Sequence, residues 1–339
     1  MFKERNTKPK GKAETTKSRL HTRSKHRKRY NFNELINSHP NLKQFVAENI
    51  HGDESIDFFN PDAVKALNTA LLKHYYDVQE WIIPTDYLVP PIPGRADYIH
   101  HAADLLAKKV ENSSDSIPVG QHVKCLDIGV GANIIYPLIG NKEYGWSFVG
   151  TEADKNAYEA ALSNIESNPH LKEFIRLRFQ KHAKDIFFGA IKKGERFDIT
   201  ICNPPFHASL KDAQSGTIRK LRNLKKEHIT KPQLNFGGQT TELWTEGGEE
   251  RFIRDMIIQS KTYRDSVLWF TTLVAKQTHL KGIYNSLKRI HATQVKTIPM
   301  GQGNKSSRIV AWSFLSKADH QKWAEDYWKE YRKVESSLD

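Results

Sequence analysis

A short apolar strand and a rigid corner lie together in FDITICNPPF, residues 197–206. Its first five residues are mostly apolar or β-branched, which predicts a buried strand. Pro204 and Pro205 lack N–H donors and have a fixed φ, so the strand must end before them. Because open α/β sheets bind ligands at the carboxyl ends of their strands, this stretch predicts both the fold class and the place of the chemistry.

The corner carries groups that suit a planar amino group. The carboxamide oxygen of Asn203 and the carbonyl oxygen of Pro204 can each accept one hydrogen from an exocyclic –NH2. Pro205 stiffens the turn, and Phe206 offers a ring face on which a base can stack, worth about 1–3 kcal/mol. The tetrapeptide resembles the Asn/Asp-Pro-Pro-aromatic motif of amino-methyltransferases, so we predict that these four residues are catalytic. A plain strand-to-loop turn is the alternative interpretation.

An apolar strand also runs directly into an Asp-x-Gly-x-Gly motif within residues 123–133. Gly129 and Gly131, which follow Asp127, permit a tight turn and a close approach of a ligand to the backbone. The third glycine of the dinucleotide-binding signature is absent, and the shorter motif suits S-adenosylmethionine, which has no pyrophosphate. Glu152 ends the next predicted strand about 20 residues further on, the spacing expected for an acidic residue that binds ribose hydroxyls. A solvent-exposed glutamate is the alternative interpretation.

Two further residues are candidates because of their positions. Arg95 starts a helix after the proline-rich connector 84–93, from which it can reach the carboxylate of the methyl donor. Asp185 follows the predicted strand 175–179 in a loop, where folds of this class often contact the adenine of the cofactor. For each residue, a side chain that only faces solvent is the alternative interpretation.

Length and composition exclude several classes of protein. The chain has 339 residues, of which 38% are hydrophobic, enough for a substantial core. No apolar run approaches the roughly 20 residues of a membrane span, and the basic start lacks the apolar segment of a secretory signal. Cys125 and Cys202 lie in predicted strands and indicate buried thiols of a reducing compartment, so we expect a cytoplasmic protein. The adjacent pair His100 and His101 lacks the spacing of a ligand set, and we expect no metal.

The positive charge is concentrated at the start of the chain. The formal net charge is +13, and residues 1–30 contain 12 lysines and arginines against two glutamates. Such a polar segment buries too little apolar surface to offset the entropy of ordering, so we expect a disordered tail. Its expected partner is a polyanion, bound with a steep dependence on salt. A tail that only increases solubility is the alternative interpretation.

The rest of the sequence predicts a helical region, an α/β domain and a final helix. Residues 31–115 show helical periodicity and an N-cap at Asn60, and we predict an RNA-binding or lid region there. Residues 116–316 hold seven predicted strands, which alternate with helices except for a final pair that indicates an antiparallel edge hairpin. This is the Rossmann-like layout of class I S-adenosylmethionine-dependent methyltransferases. Residues 207–250 lack sustained periodicity and are predicted to grip the substrate, and residues 317–339 to form a C-terminal helix.

Taken together, these motifs resemble the bacterial ribosomal RNA large subunit methyltransferase F family. That family is in turn similar to the human methyltransferase that acts on U6 small nuclear RNA. The resemblance covers about residues 31–316, and its matching segments are 60–72, 90–106, 126–140, 201–207, 234–250 and 307–314. It implies transfer of a methyl group from S-adenosylmethionine to N6 of adenine 1618 in 23S rRNA, either as free RNA or in a large-subunit precursor.

The resemblance also implies roles for individual residues. Asn203 to Phe206 would hold the target adenine, and Asn203 would also border the cofactor. The residues that fall on cofactor-contacting positions of the related human enzyme are Arg95, Gly129, Asn133 and Glu152. His182 falls on a further position of this kind, where the human enzyme has a threonine.

Two other classes of function are open at this point. One is a related enzyme with a different acceptor, either a DNA adenine or the amide of a protein glutamine. The basic start of the chain favours a nucleic acid over a protein acceptor. The other is a non-catalytic RNA-binding factor for ribosome assembly on a methyltransferase scaffold, which the intact motifs around Gly129 and Asn203 disfavour.

Overall fold

The computed structural model describes residues 20–85, 87, 89–107, 116–205, 246–302 and 305–333. The helices are α1 (Phe32–Ser38), α2 (Pro61–Tyr76), α3 (Ile92–Leu106), α4 (Ile135–Tyr144), α5 (Lys155–Glu166), α6 (Gly248–Ser260), α7 (Leu280–Arg289) and α8 (Lys317–Tyr327). The strands are β1 (Val46–Glu48), β2 (Glu54–Ile56), β3 (Ser116–Val119), β4 (Lys124–Ile128), β5 (Ser147–Glu152), β6 (Ile175–Phe179), β7 (Phe197–Cys202), β8 (Val267–Val274), β9 (Gln294–Gln302), β10 (Lys305–Ser313) and β11 (Glu330–Lys333).

A seven-stranded sheet in the order β6-β5-β4-β7-β8-β10-β9 forms the centre of the molecule. The strands from β6 to β8 are parallel, and β10 is antiparallel to both β8 and β9. This confirms the predicted fold class and its edge hairpin. The chain moves outward from β4 to β5 and β6 and then returns to the other side of β4 as β7. The strand order therefore reverses between β4 and β7, where open α/β sheets form a crevice for ligands.

Helices cover both faces of this sheet. Apolar residues of α2 to α5 pack in one core cluster, and those of α6 and α7 pack in a second one. Every residue of β7 and β8 is buried, as expected for central strands that are covered on both faces. The crevice at the carboxyl end of β7 is therefore built on rigid elements.

The region before β4 is helical, but it also contains a short antiparallel hairpin of β1 and β2. Asn60 caps α2 as predicted, since its side chain accepts from the backbone N–H groups of Asp62 and Ala63. The hairpin was not predicted, because each of its strands has three residues and such short runs carry no recognisable period. Among the described residues, no helix is both long and apolar enough to cross a membrane.

The prediction that residues 1–30 form a disordered tail is wrong for residues 20–30. Ser24 and His26 are buried, and Lys25 forms an ion pair with Glu143 at 2.9 Å. Arg23 donates to Tyr144 Oη at 3.0 Å. These basic residues find fixed acidic and aromatic partners on α3 and α4, so their charge does not keep them in solvent. Residues 1–19 lie outside the described part of the chain.

The expected single helix over residues 317–339 is also corrected. Helix α8 ends at Tyr327, and β11 then pairs antiparallel with β3. The indole N–H groups of Trp323 and Trp328 both donate to Asp198 Oδ1 at 2.7 Å. Asp198 lies in β7 and is 4% exposed, so α8 and Trp328 are fixed to the central sheet.

Candidate active site

A cavity of about 190 Å³ opens at the carboxyl ends of β4, β5 and β7. Predicted site residues that line it are Arg95, Gly129, Gly131, Asn133, Glu152, Asp185, Asn203 and Pro205. These residues come from five separate segments of the chain, so the fold brings both predicted motifs to one place. The cavity lies at the reversal of strand order between β4 and β7, and it includes the carboxyl end of the strand that the sequence predicted to carry the chemistry.

Three other predicted residues, Asp127, His182 and Pro204, do not line this cavity. Asp127 lies in β4 and is 1% exposed. His182 is exposed, so the structure does not bring its side chain to the cavity. Pro204 is buried beside the lining, and Phe206 lies outside the described residues.

The glycine motif forms a loop whose shape is fixed by its neighbours. Gly129 and Gly131 have φ values of +68° and +66°, a conformation that favours glycine. Gly131 N–H donates to Glu152 Oε2 at 2.9 Å. From the other side, Asn164 Nδ2 donates to the carbonyl of Ala132 at 3.0 Å. A ligand in the cavity therefore meets a loop that is already in place.

Asn133 closes this loop and lies two residues before helix α4. Its Oδ1 accepts from the N–H of Ile135 at 3.1 Å, and its carbonyl accepts from Trp81 Nε1 at 3.0 Å. Trp81 lies just before the proline-rich connector, so the segment that leads into the connector is bonded to the loop. The resemblance implied a cofactor contact for Asn133, and the structure adds a second role in shaping the loop.

Glu152 connects the loop to the end of β5. Its Oε1 accepts from the N–H groups of Ala153 and Asp154 at 2.8 and 2.9 Å. Burial raises the pKa of Glu152, and these hydrogen bonds together with the one from Gly131 oppose that rise. The carboxylate is oriented toward the cavity, and its remaining lone pairs can accept from hydroxyl groups of a ligand.

Three side chains around the crevice have buried polar atoms with no partner among the described residues. These atoms are Oδ1 of Asn203, both carboxylate oxygens of Asp127 and Nε of Arg95. Arg95 also donates through Nη1 to Tyr136 Oη at 2.8 Å. Burial raises the pKa of Asp127 well above its ordinary value, and nearby Arg95 acts in the opposite direction. Because buried polar groups in proteins are nearly always paired, this cluster indicates a ligand.

Sequence reasoning missed several lining residues. Phe252 lies on the apolar face of α6, and its spacing predicts a core residue. In the structure it lines the cavity. Gln180 donates to the carbonyl of Phe188 at 2.6 Å and so shapes the loop before β7. Tyr136 also lines the cavity, and it accepts a hydrogen bond from Arg95. No local signal marks these residues, because their positions depend on how distant elements pack.

A second polar cluster lies where residues 20–30 contact α3. Side chains of His21, His101 and Asp104 lie close enough together to hold an ion. However, Nδ1 of His21 accepts from the N–H of Arg23 at 3.1 Å, so the ring proton is on Nε2, 2.8 Å from Asp104 Oδ2. These groups form a hydrogen-bonded link between the N-terminal segment and α3.

Known proteins match this chain over most of its length. A family model described as RNA methyltransferase matches residues 14–316. Ribosomal RNA large subunit methyltransferase F from Cytophaga hutchinsonii is 57% identical over 314 residues, which cover 93% of this chain and 97% of that protein.

Solved structures show the same architecture. The catalytic domain of hMettl16 in complex with MAT2A 3′UTR hairpin 1 has a TM-score of 0.72 and 28% identity, covering 89% of this chain and 97% of that one. The N-terminal domain of human METTL16 in complex with SAH has a TM-score of 0.66 and 27% identity, covering 88% of this chain and 99% of that one. The chain therefore belongs to the ribosomal RNA large subunit methyltransferase F family of RNA methyltransferases.

Proposed function

We propose that this enzyme transfers a methyl group from S-adenosylmethionine to N6 of one adenine in 23S rRNA, adenine 1618 by family resemblance. One observation supports this proposal most strongly. Asn203 lines the same cavity as the glycine loop, and its Oδ1 has no partner among the described residues. An acceptor oxygen without a donor, beside a loop built for a methyl donor, suits a substrate that presents an amino group. The names of relatives and the RNA bound by hMettl16 support an RNA acceptor. We expect the reaction in the cytoplasm, on free rRNA or on a large-subunit precursor.

The residues around the cavity fit S-adenosylmethionine. Arg95 lines the cavity, and its guanidinium can bind the carboxylate of the cofactor. Glu152 can bind the ribose hydroxyls, and Asp185, which also lines the cavity, can contact the adenine. When bound, this cofactor supplies an electrophilic methyl carbon. The SAH complex of human METTL16 supports the same assignment.

The acceptor side of the cavity can activate a poor nucleophile. The lone pair on adenine N6 is delocalised into the ring. Hydrogen bonds from N6–H to Asn203 Oδ1 and to the carbonyl of Pro204 would localise it as the new bond forms, which stabilises the transition state. No strong base is required beforehand, because the product cation loses a proton readily. The base must leave its stack to enter the cavity.

The reaction is tested with purified enzyme, labelled S-adenosylmethionine and large-subunit rRNA from a strain that lacks the enzyme. The RNA is digested and the labelled nucleoside is identified by mass spectrometry. We expect the label in N6-methyladenosine. Label in another nucleoside would contradict the assignment to N6. No label on either rRNA or precursor particles, with cofactor binding intact, would favour a DNA or protein acceptor or a non-catalytic scaffold.

A further inference from the structure

Tyr98 does not line the cavity, but its ring supports the cofactor side of the site. It lies on α3 three residues after Arg95, so both project from the same face of the helix. Its side chain is fully buried, and its ring packs edge-on against Tyr136 with centroids 5.3 Å apart. Tyr136 in turn accepts the hydrogen bond from Arg95. The ring of Tyr98 therefore supports the residue that orients Arg95.

The hydroxyl of Tyr98 reaches the acceptor side. Its Oη accepts from the backbone N–H of Cys202 at 3.5 Å and lies 2.8 Å from Oγ1 of Thr271. Thr271 Oγ1 donates to the carbonyl of Thr200 at 2.5 Å. Because a hydroxyl has one proton to donate, Tyr98 must be the donor to Thr271. A single directed chain of hydrogen bonds thus leaves β7 at Cys202 and returns to it at Thr200.

This series of hydrogen bonds connects β7 and β8 where the backbone pairing of the two strands ends. The two strands are paired at Phe197 with Val267 and at Ile199 with Trp269. Beyond Ile199, the side chains of Tyr98 and Thr271 brace the last residues of β7. Burial raises the pKa of Tyr98 well above its ordinary value, so the hydroxyl keeps its donor proton at neutral pH.

We propose that Tyr98 is a positioning residue for methyl transfer, which sets the direction of the Asn203 carboxamide through the backbone of Cys202. Cys202 directly precedes Asn203, so movement of the strand end changes where the unpaired Oδ1 points. A displacement of about 1 Å can cost roughly 100-fold in rate. The inference rests on the proposed function, because that function assigns Asn203 to the acceptor base.

The variant Tyr98→Phe separates the two contacts of this residue. It keeps the ring against Tyr136 and removes only the hydroxyl. We expect kcat for methyl transfer to rRNA to fall about 10-fold, while the Kd for S-adenosylmethionine changes less than about twofold. The matched control is Tyr144→Phe, which removes an equally buried hydroxyl on the far end of α4 and should leave kcat unchanged.

Hydrogen exchange gives a readout that does not depend on turnover. The amides of residues 197–203 should exchange faster in Tyr98→Phe than in the wild type, with no change in β5. Unchanged kcat or unchanged exchange in these amides would overturn the proposal. Equal losses of kcat and cofactor affinity would also overturn it, because they would indicate that the whole site, and not only the end of β7, has lost its fixed structure. If the wild type methylates no RNA, the proposed function fails, and the exchange measurement alone decides whether Tyr98 braces β7.

Thr271→Val tests the next bond of the same chain. It removes the hydroxyl that receives the proton of Tyr98 and donates to Thr200. The double variant with Tyr98→Phe should be no slower than the slower single variant, since both changes break one connected unit. Additive losses of kcat would contradict a single chain.

Discussion

The glycine loop and the corner at Asn203, which both border the cavity, differ in how completely their polar groups are paired. On the cofactor side, the loop from Gly129 to Asn133 is held by Glu152, Asn164 and Trp81. On the acceptor side, Asn203 follows a braced strand, but its own carboxamide oxygen has no partner among the described residues. The loop is therefore already shaped before a ligand binds, whereas the corner offers an acceptor oxygen to a donor from the substrate.

This difference separates binding from chemistry. Changes on the cofactor side remove interactions that exist before the reaction and should appear in the affinity for S-adenosylmethionine. Changes on the acceptor side remove interactions that strengthen as the methyl group moves and should appear in kcat. A change on either side that altered the Kd for S-adenosylmethionine and kcat to the same degree would contradict this separation.

The largest expected effect is the loss of turnover in Asn203→Ala. Removing one preorganised hydrogen-bonding group from a reacting centre costs about 100- to 1,000-fold in kcat. Single-turnover methyl transfer measures this loss, and calorimetry should show an almost unchanged Kd for S-adenosylmethionine. An active Asn203→Ala enzyme would remove Asn203 from the mechanism.

A smaller effect, on binding, is expected for Glu152→Ala. The change removes the ribose acceptor and also leaves Gly131 N–H without its partner. Hydrogen bonds to a charged group are worth about 1.5–3 kcal/mol, so the Kd for S-adenosylmethionine should rise roughly 10- to 100-fold. At saturating cofactor, kcat should change less than Kd. Glu159→Ala, an exposed carboxylate on α5, is the control and should bind the cofactor normally.

The smallest expected effect is a loss of stability in mild acid. Burial, with a smaller contribution from Lys25, lowers the pKa of His26 to about 4 from the ordinary 6.5. The unfolded chain therefore takes up a proton first, so stability is fully present above pH 6.5 and declines as pH falls toward 4. We expect the free energy of unfolding to fall by about 1 kcal/mol from this group between pH 6.5 and 5.5.

Urea unfolding of the wild type and of His26→Gln at several pH values measures this effect. The variant should show a flatter pH dependence, whereas His51→Gln, which changes an exposed histidine, should follow the wild type. Because His26 fixes the N-terminal segment against Tyr76 of α2, kcat at saturating cofactor should be less affected than stability. An identical slope for His26→Gln would rule out this origin.

The sequence predicted the parts of the site that local chemistry dictates. The proline pair fixes the end of β7, and the glycines at 129 and 131 mark a turn that other residues rarely adopt. Both signals lie in a few consecutive residues, and the parallel sheet then brings their strand ends together. The position of the cavity followed from these two motifs and the order of elements.

Other parts depend on packing that no short pattern shows. Phe252 has the helical spacing of a core residue, although it lines the cavity. In the sequence, nothing distinguishes Tyr98 from an ordinary core aromatic residue of α3. Its hydrogen bond with Thr271 is visible only in the folded structure. The charge of residues 20–30 predicted disorder, because their partner Glu143 lies far away in sequence. His182 was a candidate only by resemblance, and its side chain is exposed.

The most direct test is a crystal structure of the enzyme with S-adenosylhomocysteine and adenosine monophosphate. We predict that the distance from Asn203 Oδ1 to N6 is about 2.7–3.2 Å, with the glycine loop unchanged. An Asn203 side chain that bonds to a protein group, with N6 more than about 4 Å away, would contradict the central claim that its unpaired oxygen receives the target amino group.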